Sequence, residues 1–62
     1  MKVREVVKLI RADGWEQVSQ KGSHRQFKHS VKKGRVTVPG KDNDRLHPKT
    51  LKSVMRQAGL TE

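Results

Sequence analysis

Amphipathic helical patterns lie at both ends of this 62-residue chain and leave only its middle for other structure. In the first pattern, apolar residues recur at the spacing that places side chains on one helix face: Val3, Val6, Val7 and Ile10. The pattern ends at Asp13-Gly14, because glycine tolerates the left-handed backbone that closes a helix. No good capping residue precedes it, so we expect a poorly capped start.

The second helical pattern begins after Leu46. Pro48 suits the first position of a helix, where its missing N–H is no loss, and Leu46 can pack against Leu51 across the cap. Gly59 followed by Leu60 predicts a Schellman closure. Apolar residues repeat at the helical spacing between these ends: Leu51, Val54, Met55 and Ala58. Basic residues occupy another side, which is typical of a solvent-facing surface: Lys49, Lys52 and Arg56.

Three segments between the helices alternate between polar and apolar residues, which predicts strands at residues 15–20, 24–29 and 35–39. Turns are predicted at Gly22-Ser23 and Lys33-Gly34, and the polar segment 40–45 reads as an exposed loop. The predicted order is α-β-β-β-α in a single domain of residues 1–62. This is an α+β fold in which two helices cover one face of a three-stranded antiparallel sheet.

The chain is strongly basic. Fifteen Lys and Arg residues against six Asp and Glu residues give a formal net charge of +9, which favours nucleic acid as the partner. A basic surface that only keeps the chain in solution is the alternative. The chain has no cysteine, which excludes disulfides, thiolate metal sites and a cysteine nucleophile. It has no long apolar run, so we expect no membrane partner and a cytoplasmic location.

The segment from Gln20 to Phe27 carries the candidate site. His24 follows the Gly22-Ser23 turn and has Lys21 and Arg25 beside it. A histidine can accept and donate a proton near neutral pH, and neighbouring cations and turn N–H groups can hold a phosphate against it. A surface histidine without a catalytic role is the alternative. We expect His24 to be catalytic and five residues to contact RNA: Lys21, Gly22, Ser23, Arg25 and Lys28.

Other residues are weaker candidates. His29 lies on the opposite alternation of its strand from His24 and is predicted to be a rim residue. His47 is predicted to neighbour a helix cap; the alternative is a fold that returns the start of this helix to the sheet and brings His47 near the site. The loop at residues 42–44 offers too few oxygen ligands for a hard cation, so we expect a solvated turn, no metal site and no cofactor. Ser23 lacks the motif that surrounds a serine nucleophile.

Four motifs along the chain form a recognisable set. They are Asp-Gly-Trp at residues 13–15, Lys-Gly-Ser-His-x-x-Phe at 21–27, Val-Thr-Val-Pro at 36–39, and Thr-Leu-Lys-Ser-Val-Met-Arg-Gln-Ala-Gly-Leu at 50–60. Together they resemble the HicA family over nearly the whole chain. The sequence departs from the family pattern in the loop 40–44, and at residues 49–51 it has Lys-Thr-Leu where many members have Gly-Thr-Leu. Neither departure touches the His24 motif.

The resemblance implies a toxin of a type II toxin-antitoxin system with a double-stranded-RNA-binding-domain-like fold. HicA-like proteins cleave messenger RNA without a metal, and a HicB antitoxin neutralises them. The family's catalytic histidine falls on His24, its preceding turn on Gly22 and Ser23, and its following aromatic residue on Phe27. Because this chain is basic, we expect its HicB-like partner to be acidic.

Two functions fit this pattern. The first is a metal-independent endoribonuclease, an mRNA interferase, in which His24 transfers a proton while Lys21, Arg25 and the turn amides stabilise the charged phosphate. The alternative is a non-catalytic double-stranded-RNA-binding module with the same fold and charge. Phosphate contacts serve both functions, so charge does not separate them. The setting of His24 favours the enzyme.

Overall fold

A computed structural model of the chain describes residues 1–60, which form two helices and three strands. The elements, in chain order, are α1 (Val3–Ala12), β1 (Trp15–Lys21), β2 (His24–His29), β3 (Arg35–Val38) and α2 (Pro48–Gln57). The strands form an antiparallel sheet in the order β1-β2-β3. The predicted order and the α+β class are confirmed, while residues 61–62 of the predicted domain lie outside the described residues.

Strand pairing determines which side chains share a face of the sheet. Phe27 is paired with Gln17 on one side and Val36 on the other, and Arg25 is paired with Val38. The buried strand residues all point to one face, which we call the core face: Trp15, Phe27, Val36 and Val38. Within residues 1–60 no element covers the other face, which we call the open face: Glu16, Ser19, Lys21, His24, Gln26, Lys28, Arg35 and Thr37.

The core lies between the core face and the helices, with α1 nearest β1 and α2 nearest β3. The predicted apolar stripe of α1 is fully confirmed, because all four of its members are buried. In α2, Val54 and Ala58 are buried while Leu51 and Met55 are half-buried. Burial of apolar surface is the main favourable contribution to the free energy of folding, so these core contacts stabilise the sheet that carries the open face.

The start of α1 is better capped than its sequence suggests. Glu5 accepts a hydrogen bond from the backbone N–H of Lys2 at 2.8 Å, and this bond lowers the pKa of the Glu5 carboxyl. The N–H groups of Val3 and Arg4 donate to the carbonyls of Asp44 and Asp42, at 2.8 and 3.1 Å. The expectation of a poorly capped start was wrong, because Glu5 caps the Lys2 N–H locally and a loop about forty residues away caps two more N–H groups.

The C-terminal ends of both helices close on glycine. After α2, the N–H of Leu60 donates to the carbonyl of Met55 at 2.9 Å and the N–H of Gly59 donates to Arg56 at 3.0 Å. These two bonds define the Schellman motif, and the predicted closure is confirmed. After α1, Gly14 has a φ of +106° and donates to the carbonyl of Arg11.

His29 is hydrogen-bonded to the C-terminal end of α1 and is more than a rim residue. Its Nε2 donates to the carbonyl of Asp13 at 2.7 Å, because its Nδ1 accepts from the N–H groups of Val31 and Lys32 at 2.9 and 3.0 Å. The imidazole also packs edge-on against Trp15, with ring centroids 5.3 Å apart. His29 is half-buried and lies on the core face, opposite His24.

Lys32 joins the two helix ends. Its Nζ donates to the Asp13 carboxylate at 2.5 Å and to the carbonyl of Ala58 at 3.1 Å. The indole N–H of Trp15 donates to the same Ala58 carbonyl at 3.3 Å. Helix C-termini carry partial negative charge, so a cation placed between two of them is favourable.

The Asp13–Lys32 pair predicts a pH-dependent stability. The hydrogen bond from Lys32 lowers the pKa of the Asp13 carboxyl in the folded chain. A carboxyl with a lowered folded pKa stabilises the fold above its unfolded pKa of about 3.9, and that contribution is lost as the pH falls through the folded pKa. In urea unfolding, wild type should therefore lose its advantage over Asp13→Asn as the pH falls from about 6 towards 3.

Lys32→Gln is the matched variant for this test, because it removes the other partner of the same bond. It should show the same shrinking difference from wild type. A difference between wild type and Asp13→Asn that stays constant over this pH range would contradict the assignment.

Candidate active site

A two-residue turn sets the start of β2. Lys21 and His24 form the last pair of the β1–β2 ladder, with Gly22 and Ser23 between them. Gly22 has a φ of +59° and Ser23 has no positive φ, a combination that suits a type II′ hairpin turn. The side chain of Gln20 donates to the carbonyl of Gly22 at 3.0 Å and steadies the turn. His24 is thereby held as the first residue of β2, directly opposite Lys21.

A bulge at Val18 lets the two ends of β1 use opposite faces of the sheet. The pairing register shifts between Gln17 and Ser19, so Gln17 shares the core face with Phe27 while Ser19 shares the open face with Gln26. Without this extra residue, strict alternation from Trp15 would place Lys21 on the core face. The turn places Lys21 on the face that carries His24, and the bulge allows Trp15 at the other end of β1 to face the core.

His24 is exposed at one end of the open face. Within residues 1–60 its imidazole has no hydrogen-bond partner, so both ring nitrogens are available to a bound molecule. Lys21 lies across from it, and directly opposite side chains on one face have Cβ atoms about 4.5–5.5 Å apart. The open face has an acid, Glu16, at its far end opposite Lys28. No carboxylate of this face therefore adjoins His24.

Arg25 lies on the core face and not beside His24. Successive strand residues point to opposite faces, and Arg25 pairs with Val38 of the core. Its guanidinium contacts the carboxylate of Asp42, and its side chain is only 16% exposed. The structure thus brings His24 and Lys21 together but separates Arg25 from them. Arg25 ties β2 to the loop that caps α1.

Residues 41–45 of the predicted loop are exposed and Gly40 is half-buried, but several polar groups of the loop are hydrogen-bonded. Asp42 pairs with Arg25, Asn43 accepts from the guanidinium of Arg4 at 3.2 Å, and Asp44 accepts from the N–H of Lys41 at 3.0 Å. An open cleft of about 490 Å³ separates this loop from the Gly22-Ser23 turn. Among residues 1–60, no three His, Asp or Glu side chains are grouped so as to hold a metal ion.

The far end of the open face carries a second basic pair. Lys28 is paired with Arg35 across β2 and β3, and both side chains are exposed. Arg35 also donates to the side chain of Gln26 at 2.7 Å, which aligns it along this face. Sequence reasoning did not single out Arg35. The alternation with Val36 and Val38 places Arg35 outward, but only the β2–β3 register shows that it adjoins Lys28.

The remaining histidine has a structural role. His47 is the N-cap of α2, and its Nδ1 accepts from the N–H of Lys49 at 3.2 Å. Pro48 follows at the first helical position. The prediction that His47 belongs to the helix cap is confirmed. His29 and His47 are thus hydrogen-bonded within the fold, whereas His24 faces solvent.

Comparison with known proteins places this arrangement in a family. Comparison with curated proteins gave no significant match. No helix among residues 1–60 has the length and apolar character needed to cross a bilayer. The family described as HicA toxin of bacterial toxin-antitoxin matches residues 3–60. The match includes every helix and strand described above and the whole Lys21–Phe27 motif. The chain therefore belongs to the HicA toxin family and is a toxin of a toxin-antitoxin system.

Proposed function

We propose that this toxin is a metal-independent endoribonuclease that cleaves messenger RNA, with His24 as the proton-transfer residue. The observation that carries the proposal is the exposed His24 imidazole, which has Lys21 opposite it and no hydrogen-bond partner within residues 1–60. General acid–base catalysis needs a group that can reach the reacting proton, and His24 meets that condition. Membership in a toxin family supports an activity that damages a cellular component, such as RNA cleavage.

In the proposed reaction the RNA supplies its own nucleophile. The 2′-oxygen of the RNA attacks the adjacent phosphorus, forming a new O–P bond while the bond from phosphorus to the 5′-oxygen breaks. His24 takes the proton of the 2′-hydroxyl or gives one to the leaving 5′-oxygen, and water carries out the other of these two proton transfers. Lys21 and the N–H groups of Gly22 and Ser23 offset the extra negative charge on the phosphate.

The RNA contacts in this proposal differ from the sequence-based set at one residue. Lys21, Gly22, Ser23 and Lys28 lie on the open face or in the turn beside it. Arg25 is engaged with Asp42 on the other face, so we assign it to positioning the loop and not to phosphate binding. The proposed site of action is the cytoplasm, where messenger RNA is available.

The HicA family implies a HicB antitoxin as the partner. We propose that this partner presents an acidic surface that covers His24 and Lys21, because a cationic site is best silenced by a surface of complementary charge. Amide hydrogen exchange of the toxin should slow at residues 20–27 when the antitoxin binds. Inhibition without any slowing in this segment would contradict direct coverage.

The product ends test the proposed chemistry. Attack by the 2′-hydroxyl should leave a 2′,3′-cyclic phosphate, or the 3′-phosphate formed when the ring opens, together with a 5′-hydroxyl. A substrate with one 2′-deoxy nucleotide at the cut site should bind and resist cleavage there, because its phosphate contacts remain. Mass spectrometry of the fragments distinguishes these ends.

The same reaction run in EDTA is the control for metal dependence, and its rate should be unchanged. Fragments with a 5′-phosphate would mean that water is the nucleophile, and the role given to His24 would then be wrong.

A further inference from the structure

The open face has basic groups at both ends. Lys21 and His24 lie at the turn end, and Lys28 and Arg35 lie at the other. His24 and Lys28 are four residues apart on β2, which is about 13 Å at the usual strand rise of ~3.3 Å per residue. Neutral side chains occupy the middle of the face: Ser19, Gln26 and Thr37. An anionic chain bound at both ends would therefore cross the sheet along β2.

Several other cations are less available to a ligand. Arg25 is engaged with Asp42, Lys32 with Asp13, and Arg4 with Asn43. Within residues 1–60, Lys28 and Arg35 form no ion pair with a carboxylate, even though Glu16 is the cross-strand partner of Lys28. Their charges are therefore free to meet phosphates.

The open face presents no Trp, Phe or Tyr side chain on which bases could stack. The chain contains one Trp, one Phe and no Tyr, and both Trp15 and Phe27 are buried on the core face. Proteins that read single strands through their bases use exposed aromatic side chains as platforms. Binding at this face is therefore directed at the backbone, and base sequence has little effect on it.

The dimensions of the face favour one strand over a duplex. Double-stranded-RNA-binding domains contact about 16 base pairs across two successive minor grooves and the phosphates between them. On the open face the basic groups at the two ends are only about 13 Å apart along β2. That distance corresponds to a short stretch of one RNA backbone.

We propose that a single RNA strand lies across the open face along β2, held at the far end by Lys28 and Arg35 while His24 acts at the turn end. The far pair binds phosphate without regard to base identity. This inference rests on the proposed function, because His24 marks the end of the path at which the strand is cut.

Salt dependence of binding tests the path directly. The ligand is a 12-nucleotide single-stranded 2′-O-methyl RNA, which lacks the attacking hydroxyl, in two unrelated sequences. For single strands the slope of log affinity against log salt is about −0.7 per phosphate neutralised. Lys28→Gln/Arg35→Gln should therefore reduce the magnitude of the slope by about 1.4, equally for both sequences. Lys49→Gln/Lys52→Gln removes two charges from α2 and should leave the slope unchanged.

Conservative variants and a duplex complete the test. Lys28→Arg/Arg35→Lys should keep the wild-type slope, which separates lost charge from damage to the strands. The proposal is overturned by an unchanged slope in the Gln pair, by an equal loss in the α2 control, or by tighter binding of the duplex. These outcomes are independent of the cleavage chemistry. Products with 5′-phosphate ends would overturn the role of His24 and leave the binding result standing.

Discussion

His24→Ala should abolish RNA cleavage while leaving the fold intact. Positioned general acid–base groups contribute about 10²- to 10⁴-fold to rate, so the loss should be at least of that order. The side chain is exposed and makes no hydrogen bond within residues 1–60, so its removal should change the free energy of unfolding by less than about 0.5 kcal/mol. Cleavage of a defined messenger RNA by purified protein and thermal unfolding by circular dichroism measure the two effects.

His47→Ala is the matched control, because it removes an imidazole that serves a helix cap. It should lose about 1 kcal/mol of stability and keep the cleavage rate of the folded protein. His24→Ala should therefore lose activity and keep its stability, whereas His47→Ala should lose stability and keep its activity. A cleavage rate for His24→Ala within a few-fold of wild type would show that His24 is not the catalyst.

Gly14→Ala should produce a large loss of stability for a substitution outside the core. Gly14 has a φ of +106°, and an added Cβ would lie 2.6 Å from Nε2 of His29. The backbone strain costs about 1–2 kcal/mol, and displacing His29 from the Asp13 carbonyl adds about 1 kcal/mol. The expected loss of about 2–3 kcal/mol is a large part of the ~3–9 kcal/mol typical of 62 residues.

Gly34→Ala separates the two causes. Gly34 has a φ of +86°, but nothing lies within 4 Å of the position where its Cβ would be. Its variant should show the backbone strain alone. Urea unfolding of Gly14→Ala, His29→Ala and the double variant completes the comparison, and the double variant should lose less than the sum of the singles. Equal losses for Gly14→Ala and Gly34→Ala would contradict the proposed clash.

Much of the fold was predictable from local patterns. The stripe from Val3 to Ile10 has helical spacing, Gly59-Leu60 has the chemistry of a Schellman closure, and Phe27 alternates correctly with its strand neighbours. Each of these features depends on residues within one or two turns or one strand. The predicted helices, strands and closures were therefore confirmed.

The candidate site was predictable only in part. His24 follows a glycine turn, and its exposed position at the start of β2 agrees with that local pattern. Arg25 was expected beside it because the two are adjacent in sequence. Adjacent strand residues point to opposite faces of the sheet, so the side chains of His24 and Arg25 lie on different faces. Arg35, ten residues away from Arg25, lies on the face of His24 instead.

The sequence by itself determined the helices, the strands, the turn before His24 and the basic character of the chain, because these depend on residue type and short-range spacing. Only the tertiary structure decided that Trp15 faces the core while Lys21, on the same strand, faces the open side, since that requires the bulge at Val18. The tertiary structure also decided that His29 hydrogen-bonds to the carbonyl of Asp13, 16 residues away in sequence, and Trp15 to the carbonyl of Ala58, 43 residues away. Such contacts follow from strand register and chain packing, which no local pattern specifies.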